Sequence, residues 1–521
     1  KIAFTRVDES PVQEAIRNEI YADEVKLFNQ RYPFTGTNNV DIQLGVVKLN
    51  DQVIDWIDLG EDKDIYIARA KWLNDSNTLS YQWQNRSQHN LELRFYNSKT
   101  KQQTVALTEK SDTWINLHFD LEFLKDKKHF VWASERDGFK HLYLYANNGQ
   151  LIRQITTGDW VVDSLKGVDE KNGIVYFAAR KDTALESHLY SAPLFKKGAI
   201  KRITEKGQYH NVVLAKDNKT FIDTSSSVNK PNSAALRKIN GEFITWLEEN
   251  KLDDSHPLTP FLTDLAQPEY GTITAEDGQV MHYRLFKPTN MAKGKKHPVI
   301  VNVYGGPHAQ RVTNSWRSKN LYFQYMAQQG YVIFQLDNRG SYNRGKKFED
   351  AIYKNLGVVE VADQIKGVEF LRTLDYVDPA RIGIYGHSYG GYMALMTMFK
   401  AGDYFSAGVS GAPVTDWALY DTHYTERYLG HPDTNAQGYT DSAVFPYAEG
   451  LKGPLMIYHG MADDNVLFTH ATKLFKQLQD NNQQFEMMTY PGSKHSLRGK
   501  QVQTHLHQTI TNFFNRNFNT N

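Results

Sequence analysis

The sequence predicts two domains of different fold class, an antiparallel all-β domain followed by a doubly wound α/β domain. Up to about residue 245, short segments of alternating apolar and polar residues are separated by polar turns, and long helical periodicity is nearly absent. From about residue 250, nearly continuous apolar runs alternate with amphipathic helical stretches. We therefore place the domains at residues 1–245 and 250–521, with a linker at 252–257 that follows a helix-like segment at 246–249.

A repeat in the first half predicts how the all-β domain is built. Related segments begin at Leu59, Leu107, Ile155 and Ile203, a spacing of 48 residues, and the last three lead to an aromatic residue. A period of about 40 to 50 residues with four short strands per unit is typical of β-propeller blades. Because only four to five blades fit before residue 245, we expect an incomplete propeller with natural sequence upstream of the chain. A β-sandwich is the alternative.

The second half contains the elements of a parallel sheet that is covered on both faces. Three apolar runs, at residues 299–303, 331–334 and 455–458, predict strands that are buried on both sides. Apolar residues at helical spacing within 361–371 and 467–478 predict amphipathic helices between the strands. This alternation predicts a doubly wound, mostly parallel sheet.

Composition excludes several classes of function. The 521 residues include 60 Lys and Arg against 59 Asp and Glu, so a net charge of +1 provides no attraction for nucleic acid or an anionic membrane. The absence of cysteine excludes disulfides, cysteine-ligated zinc and a thiol nucleophile. The sequence contains no phosphate-binding loop and no His-Glu-x-x-His motif, so we expect neither a cofactor nor a metal. No leader peptide is visible, and this leaves the compartment open.

The strongest chemical signal lies where a predicted strand passes into a predicted helix. Residues 381–385 form a short apolar segment, Gly-His-Ser-Tyr-Gly-Gly follows at 386–391, and 392–396 is helix-like. This pattern predicts a nucleophile elbow, because glycines on both sides allow the sharp turn that projects Ser388 above the sheet. A helix N-terminus also favours negative charge developing beside Ser388. The alternative is a glycine-rich turn without chemistry.

A serine nucleophile needs a base, and the base needs an orienting carboxylate. In hydrolases with such an elbow the chain order is serine, acid, histidine. Asp463 and His495 each follow a predicted strand in that order, where the carboxyl ends of parallel strands meet. Asp464 is adjacent to the predicted acid, and His459 is a competing base that precedes both aspartates.

Acyl transfer also needs hydrogen-bond donors at the position of the developing oxyanion. The backbone N–H of Tyr389 comes with the elbow. A second donor is expected from residues 303–307, which leave an earlier strand, and the Tyr304 hydroxyl is the candidate. An ordinary core tyrosine at this position is equally compatible with the sequence.

Together these motifs resemble the prolyl oligopeptidase family of serine peptidases, most closely its dipeptidyl peptidase IV branch. The resemblance covers essentially the whole chain, and its most specific parts are residues 134–143, 386–392, 413–417, 424–428 and 462–466. It implies an α/β-hydrolase domain preceded by a β-propeller, which has eight blades in this branch.

The same resemblance implies roles for individual residues. Ser388 would be the nucleophile, Asp463 rather than Asp464 the orienting acid, His495 the base and Tyr304 the oxyanion donor. Asn465 would bind the carbonyl of the residue before proline. A proline-selective pocket would be lined by Tyr389, Val414, Trp417, Tyr420, Tyr424 and Val466. A flat aromatic box suits a proline ring, which offers shape and dispersion but no N–H.

One feature of the branch is not expected in this chain. Dipeptide-releasing members bind the substrate ammonium with two glutamates in the propeller, and that pair precedes the segment similar to residues 1–24. The adjacent acids at 8–9 and 23–24 do not occupy the matching place.

The sequence thus predicts a serine exopeptidase that releases X-Pro or X-Ala dipeptides through an acyl-enzyme on Ser388. Alternatives on the same scaffold are a prolyl oligopeptidase, an acylaminoacyl peptidase and a tripeptidyl peptidase. A non-catalytic binding relative and a lipase or simple esterase are the remaining hypotheses. On resemblance alone we also expect peptide substrates with proline at the second position, a homodimer, a bacterial origin, and export from the cell, for example to the periplasm.

Overall fold

The computed structural model describes residues 1–49, 52–289, 291, 294–317 and 320–520. Antiparallel sheets occupy the first half of the chain, and one eight-stranded sheet organises the second. The predicted order of an all-β and an α/β domain is therefore confirmed. Among the described residues, no helix is both long and apolar enough to cross a membrane.

Five blade-like sheets form the first domain. Four of them are four-stranded meanders, and the first sheet contains three strands in the order β1-β4-β5. A separate hairpin, β2–β3, is inserted after β1. The strands are β1 (Ile2–Asp8), β2 (Glu14–Ile20), β3 (Val25–Arg31), β4 (Asp41–Val47), β5 (Ile54–Trp56), β6 (Ile65–Trp72), β7 (Thr78–Asn85), β8 (Asn90–Asn97), β9 (Gln103–Lys110), β10 (Leu121–Phe123), β11 (His129–Ser134), β12 (His141–Ala146), β13 (Leu151–Gln154), β14 (Val162–Asp169), β15 (Ile174–Ala179), β16 (His188–Pro193), β17 (Lys201–Arg202), β18 (Tyr209–Leu214), β19 (Thr220–Ser227), β20 (Lys230–Lys238) and β21 (Phe243–Glu248).

The 48-residue repeat marks the end of successive blades: Leu107 lies within the last strand of its blade, and Ile155 and Ile203 directly follow theirs. In two blades the threonine of the repeat has the same partner: Thr156 Oγ1 lies 2.9 Å from Nδ1 of His141, and Thr204 Oγ1 lies 3.1 Å from Nδ1 of His188. Both hydroxyls also accept a backbone N–H from the strand that begins at the histidine. In these two blades the threonine of the repeat therefore links the end of the last strand to the strand before it.

The expectation of a helix-like segment at 246–249 is wrong. These residues begin within β21, which pairs antiparallel with β20 as the outer strand of the last blade. A run of four residues is too short to reveal a period, and every residue of β21 is exposed, so no buried face marks it as a strand. The strand ends three residues beyond the predicted limit of the first domain, and the predicted linker lies in the irregular stretch that follows.

The second domain is a sheet in the order β22-β23-β25-β24-β26-β27-β28-β29, parallel from β25 to β29. The predicted strands at 299–303, 331–334 and 455–458 correspond to β24, β25 and β28. The strands are β22 (Pro268–Thr274), β23 (Val280–Phe286), β24 (His297–Val303), β25 (Val332–Leu336), β26 (Val377–His387), β27 (Ala407–Gly411), β28 (Leu455–Gly460) and β29 (Glu486–Tyr490).

Helices cover the sheet and provide its two apolar layers. The predicted amphipathic stretches correspond to α3 and α7. The α-helices are α1 (Asn320–Gln328), α2 (Lys346–Glu349), α3 (Val359–Arg372), α4 (Tyr389–Lys400), α5 (Thr422–Leu429), α6 (Ala436–Ser442), α7 (Thr469–Asp480) and α8 (Lys500–Phe518). Short 3-10 helices occupy Thr259–Asp264, Asp350–Ile352, Trp417–Leu419, Pro432–Thr434 and Phe445–Gly450.

Helix α5 joins the two domains. Its Glu426 accepts two hydrogen bonds of 2.7 Å from the guanidinium of Arg86 in the propeller, and Arg427 donates to Gln88 Oε1 at 2.7 Å. A bidentate arginine–carboxylate pair fixes both distance and orientation. The segment 424–428, which stood out in the sequence, therefore connects the domains.

A pair of buried glutamates lies at another point of this interface. Asn116 donates to Glu135 at 3.1 Å and to Glu349 of α2 at 3.0 Å, so the two carboxyls share one amide. Burial raises the pKa of both groups, and the neighbouring Glu135 raises that of Glu349 further. A shared proton on the pair follows from this geometry, because two close, desolvated carboxylates repel each other.

Candidate active site

The elbow at Ser388 is built from close backbone contacts. Strand β26 ends at His387, α4 begins at Tyr389, and Ser388 between them has φ 63° and ψ −122°. A Cβ atom on Gly386 would lie 2.1 Å from the Gly390 carbonyl oxygen, and one on Gly390 would lie 2.4 Å from that of Val303. Only glycine fits at these two positions. The strained serine backbone is held by its surroundings, as is common at functional sites.

The predicted serine, histidine and aspartate are brought together in one hydrogen-bonded chain. His495 Nε2 lies 2.9 Å from Ser388 Oγ, and its Nδ1 lies 2.8 Å from Asp463 Oδ2. Both distances are those of ordinary hydrogen bonds. With Nδ1–H donating to the carboxylate, Nε2 is the nitrogen that can accept the serine proton.

Four donors surround the Asp463 carboxylate. Its Oδ1 accepts the backbone N–H groups of Asn465 and Val466, both at 3.0 Å, and its Oδ2 accepts from His495 and from His459 at 3.1 Å. Burial alone would raise the pKa of Asp463, but the hydrogen bonds from the two histidines hold it well below its ordinary value. The carboxylate is therefore charged at neutral pH.

Neither of the two competing residues, His459 and Asp464, takes the role of base or acid beside Ser388. His459 is fully buried, and its Nε2 faces both Asp463 and the Val466 carbonyl oxygen at 2.9 Å, so this nitrogen carries the hydrogen. His459 is thus a second donor to the acid, a role the sequence did not suggest. The exposed Asp464 binds Lys494 at 2.8 Å instead of a histidine.

The side chains of Tyr304 and Tyr389, the two residues that carry the candidate oxyanion donors, lie beside each other. The rings of Tyr304 and Tyr389 are 6.1 Å apart, and the Arg311 guanidinium lies 4.3 Å over the Tyr304 ring. Burial raises the pKa of Tyr304, which keeps its hydroxyl protonated, and that hydroxyl has no hydrogen-bond partner among the described residues. The Tyr389 N–H has no acceptor within its helix, because it belongs to the first turn.

A buried glutamate that the sequence analysis missed holds the side chain of Tyr389. The Tyr389 hydroxyl donates to Glu360 Oε1 at 2.7 Å, and the carboxylate also accepts the N–H groups of Gly357 at 3.0 Å and Val358 at 3.1 Å. Burial raises the pKa of Glu360. Glu360 lies in the first turn of α3, where nothing in the local pattern distinguishes it from a surface residue.

The residues predicted to line a substrate pocket form an aromatic cluster. The ring centroids of Trp417 and Tyr389 are 5.5 Å apart. Trp417 also stacks on Tyr424, with ring centroids 6.1 Å apart, and meets Tyr420 edge to face at 6.0 Å. Tyr392, which the sequence analysis did not include, lies edge to face with Trp417 at 5.2 Å. The buried apolar members that complete the cluster are Val414 and Val466.

Asn465 lies at the edge of this cluster with an oriented amide. Its side-chain Oδ1 accepts a hydrogen bond of 3.0 Å from the Tyr420 hydroxyl. The amide N–H₂ group has no hydrogen bond to a described residue, and Asn465 is exposed. The side chain is therefore oriented to donate to a group outside the protein.

The hairpin β2–β3 contacts both loops that carry the acid and the base. The Ile20 N–H donates to the Met461 carbonyl oxygen at 3.1 Å, and the Ile20 carbonyl accepts from the Gly492 N–H at 2.7 Å. Met461 is two residues from Asp463, and Gly492 is three from His495. A propeller segment thus bridges the two loops, a contact that no local sequence pattern indicated.

Two family models match the chain. Residues 1–232 match the N-terminal region of dipeptidyl peptidase IV, and residues 316–521 match the prolyl oligopeptidase family. The relatives include dipeptidyl peptidase 8 of mouse, which is 32% identical over 97% of this chain and 65% of its own length. The chain thus spans about two thirds of the length of that curated relative.

Solved structures of bacterial proteins also match. A putative dipeptidyl aminopeptidase IV from Bacteroides ovatus is 33% identical, with a TM-score of 0.91 over 99% of this chain and 75% of that chain. Dipeptidyl peptidase 4 of Porphyromonas gingivalis is 30% identical, with a TM-score of 0.93 over 98% of this chain and 72% of that chain.

Proposed function

Because the chain belongs to the prolyl oligopeptidase family, we propose that it is a serine exopeptidase that releases N-terminal X-Pro or X-Ala dipeptides from peptides. The observation that carries this proposal is the hydrogen-bonded chain Ser388–His495–Asp463 beside an aromatic cluster. Relatives named dipeptidyl peptidases, in mouse and in Porphyromonas gingivalis, support the dipeptidyl specificity.

The geometry supports acylation of Ser388. The serine hydroxyl attacks the carbonyl carbon of the scissile bond while His495 Nε2 takes its proton. The negative charge moves to the carbonyl oxygen, which we assign to the Tyr389 N–H and the Tyr304 hydroxyl. When the tetrahedral intermediate collapses, the C–N bond breaks and His495 returns the proton to the leaving nitrogen.

Deacylation repeats these steps with water. His495 accepts a proton from the water molecule, whose oxygen attacks the ester carbonyl of the acyl-enzyme. The ester C–O bond breaks, Ser388 regains its proton from His495, and the dipeptide leaves. The charged Asp463 stabilises the imidazolium that forms in both halves of the reaction.

We assign selection for proline to the aromatic cluster. Flat rings around Trp417 match the shape of a pyrrolidine ring and require no N–H from it. The free N–H₂ of Asn465 would donate to the carbonyl of the residue before proline, held in that orientation by Tyr420. Together these contacts would fix the dipeptide on the acyl side of Ser388.

A pair of substrates tests the specificity. Peptides of the form X-Pro-Z with free and with acetylated N-termini are incubated with the protein and followed by mass spectrometry. Release of X-Pro from the free peptides alone is expected. Equal cleavage of the blocked peptides would instead indicate an oligopeptidase or an acylaminoacyl peptidase, and release of tripeptides would indicate a tripeptidyl peptidase.

Substitution of the nucleophile tests the mechanism. Ser388→Ala should lower hydrolysis of an X-Pro anilide by at least about 10⁴-fold, because no acyl-enzyme can form. The circular dichroism spectrum should be unchanged. Activity retained in a folded Ser388→Ala protein would contradict the triad assignment, and a lack of activity in the wild type would favour a non-catalytic binding protein.

We also propose that the chain forms homodimers through the hairpin β2–β3. Ile16 is 74% exposed, Leu27 is 70% exposed and Val25 is 60% exposed, an unusual concentration on a two-stranded hairpin. Light scattering coupled to size exclusion should show a dimer that the double variant Ile16→Ser/Leu27→Ser converts to monomer. Val213→Ser, which removes a 63% exposed apolar residue of β18, is the matched control.

A further inference from the structure

A large cavity adjoins the catalytic centre, and its wall is separate from the aromatic cluster. Its volume is about 720 Å³, and its wall includes Tyr304, His387 and the catalytic His495. None of the cluster residues Val414, Trp417, Tyr420, Tyr424 or Val466 contributes to it. Its size is that of a ligand pocket.

The wall of this cavity is positively charged. Four arginines line it and no aspartate or glutamate does; the arginines are Arg284, Arg311, Arg317 and Arg498. None of the four is within ion-pair distance of a carboxylate among the described residues. Ordinary protein surfaces intersperse both signs of charge, so four cations without a paired anion around one cavity favour an anionic ligand.

The deepest arginine is held by neutral groups. Arg284 is 1% exposed and donates to the Thr313 carbonyl oxygen at 3.2 Å, to Asn320 Oδ1 at 3.3 Å and to Gln335 Oε1 at 3.1 Å. These contacts orient the guanidinium but are all made with uncharged groups, and no carboxylate among the described residues lies within ion-pair distance of it. A buried charge without a counter-ion is costly, and an incoming anion would offset that cost.

One buried carboxylate lies nearby and is already engaged. Asp337 accepts the backbone N–H groups of Arg311 at 2.8 Å and Val312 at 2.9 Å, one with each oxygen. Burial lowers the pKa of Arg317, and so does the proximity of Arg311 and Arg284. The guanidiniums therefore repel one another around the cavity even with Asp337 present.

The position of the cavity determines which part of a substrate it faces. The acyl half is assigned to the aromatic cluster, and His495 gives its proton to the leaving nitrogen. The segment after the scissile bond therefore extends past His495 and Tyr304, the two catalytic residues that belong to the cavity wall.

We propose that this cavity is an anion site that binds a carboxylate of the leaving peptide, and that it makes short peptides with a free C-terminus the preferred substrates. The proposal rests on the exopeptidase function above and adds a preference to it. The carboxylate can come from the C-terminus or from an acidic side chain, because the arginines would recognise either.

Three peptides and one anilide test this site. We compare kcat/KM for Gly-Pro-Ala, Gly-Pro-Ala-amide and Gly-Pro-Glu-amide, with Gly-Pro-anilide as a substrate whose leaving group carries no carboxylate. The free acid should exceed its amide by roughly tenfold at low ionic strength, and the ratio should fall as salt screens the arginines. Recovery with Gly-Pro-Glu-amide would identify side-chain carboxylates as a second source.

Variants identify the arginines that are responsible. Arg317→Gln and Arg311→Gln should each reduce the acid-to-amide ratio severalfold, and Arg311→Lys should retain most of it. Arg372→Gln removes one charge at the exposed end of α3, where Arg372 binds the Asp403 carbonyl oxygen, and should leave the ratio unchanged. Because each ratio is measured within one variant, a general loss of activity cancels.

The outcomes separate the two proposals. Failure to cleave the anilide would overturn the exopeptidase function. Cleavage of the anilide with equal rates for the free acid and the amide would overturn the anion site alone. A ratio that persists unchanged in both glutamine variants would do the same, and the wild-type ratio stands as a test even where a variant fails to fold.

Discussion

The elbow that carries Ser388 and the loops that carry Asp463 and His495 are held in different ways. The elbow is closed entirely within its own domain, by glycines whose missing side chains allow backbone oxygens to approach. The two loops instead contact Ile20, a residue of the propeller hairpin. The nucleophile is thus positioned locally, whereas its partners depend on a distant part of the chain.

The elbow and the two loops are stabilised differently because only the elbow has a strained backbone. The backbone of Ser388 lies in a sparsely populated region and needs dense packing on every side. The loops after β28 and β29 are held by ordinary hydrogen bonds. The contact with Ile20 fixes the distance between these two loops. A change at the elbow should therefore be severe, and a change at the bridge should be graded.

After loss of the nucleophile itself, the largest effect is expected from substitution of the acid. Asp463→Asn should lower kcat for an X-Pro anilide by about 10³–10⁴-fold, because the amide cannot stabilise the imidazolium or hold the required tautomer. Asp464→Asn, which removes only an exposed partner of Lys494, is the matched control and should retain most activity. An equal loss in the two variants would contradict the choice of Asp463.

The next largest effect is expected within the elbow. In Gly390→Ala, the new Cβ would meet the Val303 carbonyl oxygen at 2.4 Å and Tyr304 Cα at 3.1 Å. Displacing the candidate oxyanion donor should cost about 10²-fold in kcat, and overpacking should cost roughly 1–3 kcal/mol in the free energy of unfolding. Kinetics and urea denaturation measure the two effects.

A glycine near the other end of α4 provides a control for Gly390→Ala. A Cβ on Gly402, two residues beyond α4, would meet nothing closer than 3.2 Å. Gly402→Ala should therefore be active and nearly as stable as the wild type. If both alanine variants behave alike, the close approach at Gly390 is not what holds the elbow.

Disrupting the contact between the hairpin β2–β3 and the loop that carries His495 should have a smaller effect on activity. Gly492 has φ +68°, and a Cβ there would lie 2.8 Å from Cδ1 of Tyr21. Gly492→Ala should push the hairpin from the His495 loop and lower kcat about tenfold with a smaller change in KM. The double variant with Tyr21→Ala should recover part of this loss, because the clash is gone.

A second control separates the effect of backbone strain at Gly492 from the effect of the clash with Tyr21. Gly207→Ala places alanine at φ +82° in an open propeller turn, where no atom lies within 4 Å of the new Cβ. This variant carries a similar strain without a clash, and its kcat should equal that of the wild type. Full activity of Gly492→Ala would show that the hairpin does not position the loops.

The smallest effect concerns the buried carboxyl pair at the domain interface. The pKa of Glu349 is raised in the folded protein, so the pair contributes most to stability below the ordinary glutamate range and less as the pH rises. Glu349→Gln should therefore raise the free energy of unfolding by about 1 kcal/mol at pH 8 and have little effect at pH 4. The change in kcat should be negligible.

Urea denaturation at several pH values measures this effect. Glu242→Gln, at the exposed pair with Lys238, is the control and should not raise the free energy of unfolding at pH 8, because Lys238 holds the pKa of Glu242 below its ordinary value. A Glu349→Gln protein that is less stable than the wild type at pH 8 would show that the carboxylate is stabilised by its neighbours, contrary to our assignment.

The sequence predicted those parts of the site that depend on local pattern. Ser388 was found because glycines at fixed spacing follow a strand, and Asp463 and His495 because each follows a later strand. The bond from Tyr389 to Glu360 and the contact from His459 to Asp463 were missed. Both side chains are polar residues within ordinary elements, and their partners are chosen by the packing of the sheet rather than by a motif.

The same reason explains what was missed between the domains. The repeat predicted the blades, because each blade is a local unit. The separate interpretation of residues 246–249 as helix-like failed, because the residues of β21 are all exposed and carry no periodic signal. The position of the hairpin against the loops depends on how the two domains meet. No spacing within one segment encodes such a contact.

The bridge at Ile20 has a consequence for biosynthesis. Ile20 precedes Met461 and Gly492 by more than 400 residues, so their contact forms only after the loops that carry Asp463 and His495 have left the ribosome. Until then the loops that carry Asp463 and His495 are either not yet synthesised or lack their contact with Ile20. The contact that joins the acid and base loops is therefore completed late in the synthesis of this part of the protein.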